Sequence, residues 1–245
     1  MAWRQVLDNL SRLVYGDQAL CCLCNSPVFN DVGMCSKCTG DLKRQMAWVC
    51  KVCGIPVRRP LELCHECRLN LYYFDMQRSA GIYNGRLMSA IRRMKYTGER
   101  WLSRPLGWLL SQVAGQFGHV GIVVPVPLAG SSLKARGYNQ ARDLAAEVSS
   151  NICVPLADIL EREEARGSQA RLDRRDRWRN LRGTMSVTRG THLGGIAVLL
   201  VDDVATTGAT LDEAARALKS AGAGDVYCVT LARTLPYRLA EEEGC

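Results

Sequence analysis

Apolar residues recur along this chain with two periods, and the order in which the periods alternate sets the fold class. From Ile196 to Val201 the apolar positions are continuous, as in a strand buried on both faces of a parallel sheet. Leu211, Ala214, Ala215 and Leu218 then follow the i, i+3, i+4, i+7 spacing of one helix face. The same stripe recurs in Leu87, Ala90, Ile91 and Met94, ending near Gly98, and in Ala141, Leu144, Ala145 and Val148. A further helix, with Pro105 in its first turn, carries Leu106, Leu109, Leu110 and Val113, with Trp108 as a neighbouring core position. Short strands are expected at Ser79–Tyr83, at Ile122–Val124 ahead of Pro125 and Pro127, and at Val226–Leu231. Strands alternating with helices over 78–238 predict an α/β domain: a parallel sheet with helices on both faces.

Cysteines dominate the segment before it. Cys21, Cys24, Cys35 and Cys38 recur 29 positions later as Cys50, Cys53, Cys64 and Cys67, and Pro27-Val28 recurs with the same shift as Pro56-Val57. Each C-x2-C-x10-C-x2-C copy offers four thiolates on two tight turns, the soft tetrahedral set of a structural Zn²⁺ site with no open position for catalysis. Two sequential sites are expected, with crossed pairing the alternative; Cys22 and His65 are read as bystanders. Residues 1–68 are thus assigned to an N-terminal helix and a small double zinc-ribbon domain, and Leu69–Asp75 to a linker. No apolar run approaches membrane-spanning length. Trp3, Val6, Leu7 and Leu10 alternate with charges instead of forming a signal-peptide core, so a reducing cytoplasm is expected, where C-x-x-C pairs bind metal.

Chemistry concentrates in Val198–Thr210, VLLVDDVATTGAT. Asp202 and Asp203 fall at the carboxyl end of a strand, where open α/β sheets bind ligands, and Thr206, Thr207, Gly208 and Thr210 wrap the start of the next helix. Backbone N–H groups and three hydroxyls suit a phosphate monoester. The carboxylates would repel it unless a neutral polyol lay between, which points to a sugar phosphate whose hydroxyls donate to the acids.

This run resembles the PRPP (5-phosphoribosyl 1-pyrophosphate) motif of type I phosphoribosyltransferases. The resemblance implies that Ala205, Thr206, Thr207, Gly208, Ala209 and Thr210 hold the 5-phosphate, that Asp202 and Asp203 hold the ribose hydroxyls and act in catalysis, and that Mg²⁺ accompanies the pyrophosphate. Pro125–Tyr138 resembles the pyrophosphate loop, where Arg136 would neutralise the leaving group, assisted by Lys134 or Lys95. Lys95-Tyr96-x-Gly98, Pro125-Val126-Pro127-Leu128, Arg136-Gly137-Tyr138-Asn139-Gln140 and Arg177-x-x-Asn180-Leu181-Arg182-Gly183 precede the acidic loop in that order. With the double ribbon, this order resembles the ComF/GntX group of competence and DNA-utilization proteins. That resemblance implies a role in taking up, processing or using DNA, and other competence or recombination proteins as partners.

Charge adds a second ligand class. Lys and Arg number 32 against 24 Asp and Glu, and Arg78–Arg104 holds seven basic residues with Glu99 the lone acid. Arg92, Arg93 and Lys95, and Arg175, Arg177 and Arg179 around Trp178, are candidate single-stranded DNA contacts, in which basic groups track phosphates while a base stacks. No segment names a nucleobase acceptor. Three readings stay open: a DNA-processing protein with a phosphoribosyltransferase domain, an active phosphoribosyltransferase of nucleotide metabolism, and a non-catalytic PRPP-sensing regulator.

Overall fold

A computed structural model describes residues 19–59, 62–163, 178 and 181–235. The N-terminal helix expected before residue 19 lies outside them. In the ribbon region β1 (Ala19–Leu20) pairs antiparallel with β2 (Pro27–Val28), and α1 (Ser36–Gln45) follows. The second copy repeats this at the same shift: a Val49–Pro56 bridge, then α2 (His65–Leu69). The turns match atom for atom. Cys21 N–H donates to Ser26 O at 2.8 Å and Cys50 N–H to Ile55 O at 2.7 Å, while Asn25 and Gly54, 29 residues apart, both take positive φ (58° and 64°). The repeat in sequence is a repeat in structure.

The larger part is a four-stranded parallel sheet in the order β3–β8–β7–β4, built from β3 (Met76–Ile82), β4 (Ile122–Pro125), β7 (Val198–Ala205) and β8 (Val226–Arg233). Leu199 lies opposite Tyr227 and Ile122 opposite Val198. Side chains alternate between the faces. Leu199, Val201, Val229 and Leu231 enter one core with α3 (Gly85–Tyr96), α4 (Ser103–Ala114) and α6 (Gln140–Ile152). Val198, Leu200, Val226 and Cys228 enter the other with α7 (Ala209–Ser220). Every stripe residue expected in these helices is buried, whereas Trp108 packs half-buried at the margin of its core. The fold is α/β, a parallel sheet with helices on both faces, as the alternation of periods predicts.

Two elements carry no periodic signal: the short α5 (Gly130–Arg136), and an antiparallel pair, β5 (Leu160–Arg162) with β6 (Met185–Val187). Strand β7 also starts later and runs further than its apolar stretch. Ile196 sits 44% exposed before it, and pairing continues to Ala205 because β8 runs on to Arg233 beside it. Pro125 lies inside β4, which is tolerated because β4 is the last strand of the sheet and needs no N–H there.

Each ribbon shares a core with one sheet face. Cys21, Met34 and Leu42 join the α3–α4 side; Cys50, Cys53 and Ile55 join the α7 side. Edge strand β3 is therefore straddled, and its exposed backbone is met by the second ribbon, where Gln77 N–H donates to Val52 O at 2.7 Å. Among the described residues no helix is long and apolar enough to cross a membrane.

Candidate functional site

Parallel pairing brings the carboxyl ends of β7 and β4 side by side, and in open α/β sheets the crevice outside such strand ends binds ligands. Asp202 and Asp203 lie within the last turns of β7, and strand alternation sends their side chains to opposite faces. Asp203 turns toward α3, where Lys95 Nζ donates to its Oδ1 at 2.6 Å in a largely buried ion pair. Asp202 accepts the Asp203 N–H on Oδ1 at 2.8 Å and keeps a narrow opening to solvent. Burial, and after it the charge of Asp203, pushes the Asp202 carboxyl up to about 7. The two acids are consequently unlike: one is ion-paired to a lysine, the other is a poorly solvated acceptor on which the charges of Lys95 and Arg162 also act.

Beyond them the chain turns into α7 through Gly208, whose φ of 87° places it in the left-handed region that glycine enters without steric cost. Thr207 Oγ1 accepts the Ala209 N–H at 3.3 Å, Thr206 is exposed and Thr210 half-buried. Free N–H groups at the start of a twelve-residue helix, with flanking hydroxyls, are a donor set that could hold an anion.

On the β4 side, α5 ends in Arg136. Its Nη1 donates to Gln140 Oε1 at 3.1 Å and its guanidinium lies over the Tyr96 ring at 5.3 Å. Tyr138 donates its hydroxyl to the Met94 carbonyl, and Asn139 Nδ2 donates to Val126 O at 3.1 Å while its Oδ1 caps α6. Two motifs some forty residues apart in sequence therefore meet at one place. Gln140 Nε2 is buried without a partner among the described residues, and Lys134 is exposed.

Arg162, on β5, joins the site from the opposite side. Its Nε is buried and unpartnered among the described residues; burial pulls its guanidinium below the ordinary value, and the charge of Asp202 acts against that. Arg162 was not among the site residues expected from sequence, because nothing local marks a strand of three residues. A cleft of about 930 Å³ also opens next to Ala209, between α2, the linker and the first turns of α7. Tyr72 lines it, stacked on Phe74 at 4.8 Å and tilted against Trp178 at 5.7 Å. Asp212, pushed up to about 6 by burial, accepts the Tyr73 N–H there at 2.6 Å.

The proposed DNA residues divide. Arg92 is exposed, but Arg93 Nε donates to Glu99 at 2.9 Å and its Nη1 reaches Cys22 O at 3.4 Å, while Lys95 belongs to the acidic site. Arg175, Arg177 and Arg179 lie outside the described residues.

Both cysteine sets close sequentially: Cys21, Cys24, Cys35 and Cys38 form one cluster, Cys50, Cys53, Cys64 and Cys67 the other, each with its sulfurs within 4.8 Å of one another. Neither Cys22 nor His65 joins them, and burial raises the Cys22 thiol to about 12. The Cys24–Cys35 and Cys53–Cys64 sulfurs are 3.6 Å apart, close to the ~3.8 Å that ~2.3 Å metal–sulfur bonds impose on a tetrahedron. Each cluster can hold one metal ion.

A parallel α/β sheet whose strand ends in an acidic pair, then a left-handed loop and a helix, defines a phosphoribosyltransferase-type domain, and the family model for the phosphoribosyl transferase domain matches residues 133–245. Competence protein F of Haemophilus influenzae is 30% identical over 209 residues, covering 82% of this chain and 90% of that protein. The DNA utilization protein YhgH of Salmonella typhimurium is 29% identical over 232 residues, covering 88% and 97%. The chain belongs to this competence protein F (ComF) family. Among solved structures, orotate phosphoribosyltransferase from Aeropyrum pernix aligns over 60% of this chain and 70% of its own at 21% identity, with a TM-score of 0.36.

Proposed function

We propose that the protein binds PRPP, or a related sugar phosphate, in this crevice and acts on single-stranded DNA in its uptake, processing or utilization. The observation that carries the sugar phosphate is the juxtaposition of a poorly solvated carboxylate, Asp202, with the N–H groups and hydroxyls of the Thr206–Thr210 loop. An acceptor for hydroxyls beside a donor set for a phosphate matches a ribose 5-phosphate and little else. Asp203 is held by Lys95 and serves to fix that lysine at the crevice. Arg136 and Arg162 are the cations assigned to the pyrophosphate, and Mg²⁺ would neutralise part of its charge. As pyrophosphate departs, positive charge develops on the ribose ring, and an ionised Asp202 favours that state over the ground state.

The DNA half rests on the names of the relatives, on the formal charge of +8, and on the aromatic cleft beside the loop, where Tyr72 and Trp178 offer faces to an unstacked base. The two cysteine clusters are assigned to structural Zn²⁺, since four thiolates leave no position open for catalysis. Calorimetry with PRPP and Mg²⁺, followed by a pyrophosphate-release assay with and without single-stranded DNA, tests the whole. Binding with release marks a transferase, and binding without release a sensor. Absence of binding would overturn the sugar-phosphate assignment.

A further inference from the structure

On the face of β3 and β8 turned toward the second ribbon, the sheet carries polar side chains where a core is normally apolar. Gln77, Ser79, Thr230 and Arg233 are all at most 4% exposed. They form a continuous row. Arg233 Nη1 donates to Gln77 Oε1 at 2.7 Å, Gln77 Nε2 donates to Ser79 Oγ at 2.8 Å, and Ser79 and Thr230 share a hydrogen bond of 2.7 Å. Burying such a row costs free energy, most of all for a guanidinium, unless charge and hydrogen bonds compensate it. Yet Arg233 has a neutral amide as its hydrogen-bond partner, and its Nε is unpartnered among the described residues.

The two ends of the row show what it joins. At one end the Cys50–Gly54 turn lies on β3, so close that a Cβ on Gly54 would sit 2.4 Å from the Gln77 carbonyl oxygen. In the same turn Val52 O accepts the Gln77 N–H at 2.7 Å, so the segment that carries Cys50 and Cys53 fixes the residue that holds Arg233. Four thiolates around a divalent ion would carry a net charge of about −2, and the turn that holds them reaches the guanidinium through Gln77. At the other end, Arg233 Nη1 is 3.8 Å from where a Gly208 Cβ would stand, so the cation lies beneath the left-handed turn of the Thr206–Thr210 loop. Arg233 thus lies between Gln77, whose strand the cysteine turn grips, and the loop at Gly208.

We propose that Arg233 is a positioning residue that couples the second cysteine cluster to the phosphate loop. The metal-filled cluster holds the guanidinium under Gly208, where it supports phosphate binding, and a bound phosphate in turn strengthens metal retention. The inference rests on the sugar-phosphate reading of the crevice. Coupling between two ligands is reciprocal, so it is measurable from the metal side in the intact protein.

The experiment is an equilibrium competition for zinc between the purified, metal-loaded protein and a chromogenic chelator, with and without saturating PRPP and Mg²⁺. Calorimetry on the same preparations reports PRPP binding. Wild-type protein is expected to hold one of its two zinc ions about fivefold or more tightly when PRPP is bound, the other being unaffected. Arg233→Lys, which keeps a cation but loses the planar fork, is expected to weaken PRPP binding and to lose most of that difference. Should Arg233→Lys fail to fold, Gln77→Leu, which frees the guanidinium from β3, is expected to reduce the difference in the same direction. PRPP binding with unchanged retention of both ions, or an effect equal in wild type and both variants, would overturn the coupling. Failure of wild type to bind PRPP would instead overturn the assignment of the crevice, and this inference with it.

Discussion

Asp202 and Asp203 are adjacent in the chain, yet strand alternation gives them different chemistry, and each is best tested alone. Between the ordinary carboxyl value and about 7, the folded protein holds a proton on Asp202 that the unfolded chain releases. Stability therefore falls as pH rises through that window and levels off above it. Asp202→Asn removes the penalty. Its thermal midpoint is expected to exceed that of wild type at pH 8 and to approach it near pH 4, as scanning calorimetry at both values would report. The same substitution should weaken PRPP binding by about 1–3 kcal/mol, the worth of a hydrogen bond to a charged group, and should flatten the gain in affinity expected of wild type from pH 6 to 8. A variant destabilised at pH 8, or with unaltered PRPP affinity, would remove Asp202 from the ribose site. The acidic pair was legible in sequence because it ends an apolar run; its asymmetry was not, because Lys95 arrives from a helix more than a hundred residues away.

At the level of elements, the first two turns of α7 do more than end a phosphate loop. Asp212 holds the linker through Tyr73. Glu213, almost fully buried, accepts the Gly183 N–H at 2.8 Å and the Met185 N–H at 3.3 Å while pairing with Arg216 at 2.7 Å. Burial opposes ionisation of Glu213, but Arg216 and these amides outweigh it and hold the carboxyl below its ordinary value. Glu213→Ala leaves two N–H groups and a guanidinium without their acceptor. It is expected to lower stability by about 1–3 kcal/mol in urea titration and to speed hydrogen exchange at residues 183–187. Unchanged exchange there would show that the β5–β6 pair is held by other means. Helices α3, α4, α6 and α7 were legible because each carries an apolar stripe at i, i+3, i+4 and i+7, about two turns long. Strands β5 and β6 were not: three residues each cannot display a period, and their role depends on lying over Asp202. Nor could spacing show that the ribbons share cores with the sheet. Separate domains would leave PRPP binding largely intact in Cys53→Ser, whereas the contact of the Cys50–Gly54 turn with β3 makes that variant expected to weaken it.

Across the whole molecule, the ribbons clasp β3 from both faces and the positive charge is spread unevenly over what remains exposed. If both clusters are structural zinc sites, protein purified without added metal should carry about two zinc ions per chain by elemental analysis, and a folded, metal-free ribbon would refute the assignment. For DNA, counting arginines in the sequence overstates the surface that can bind it, because the structure spends Arg93 on Glu99 and Lys95 on Asp203. Arg92 is the member of that trio left facing solvent. Single-strand affinity is expected to fall about tenfold or more between low and physiological salt, since phosphate contacts release counterions. Arg92→Ala should lower both affinity and the slope of log affinity against log salt, by up to about one unit if it meets one phosphate. Arg93→Ala should instead lower the melting temperature, because Glu99 and the Cys22 carbonyl lose their donor, and should leave the slope nearly unchanged. Fluorescence anisotropy over a salt series, with melts on the same samples, separates the two effects. An unchanged slope in Arg92→Ala would take α3 out of the DNA path and leave the aromatic cleft beside Trp178 as the surface on which a single strand must be sought.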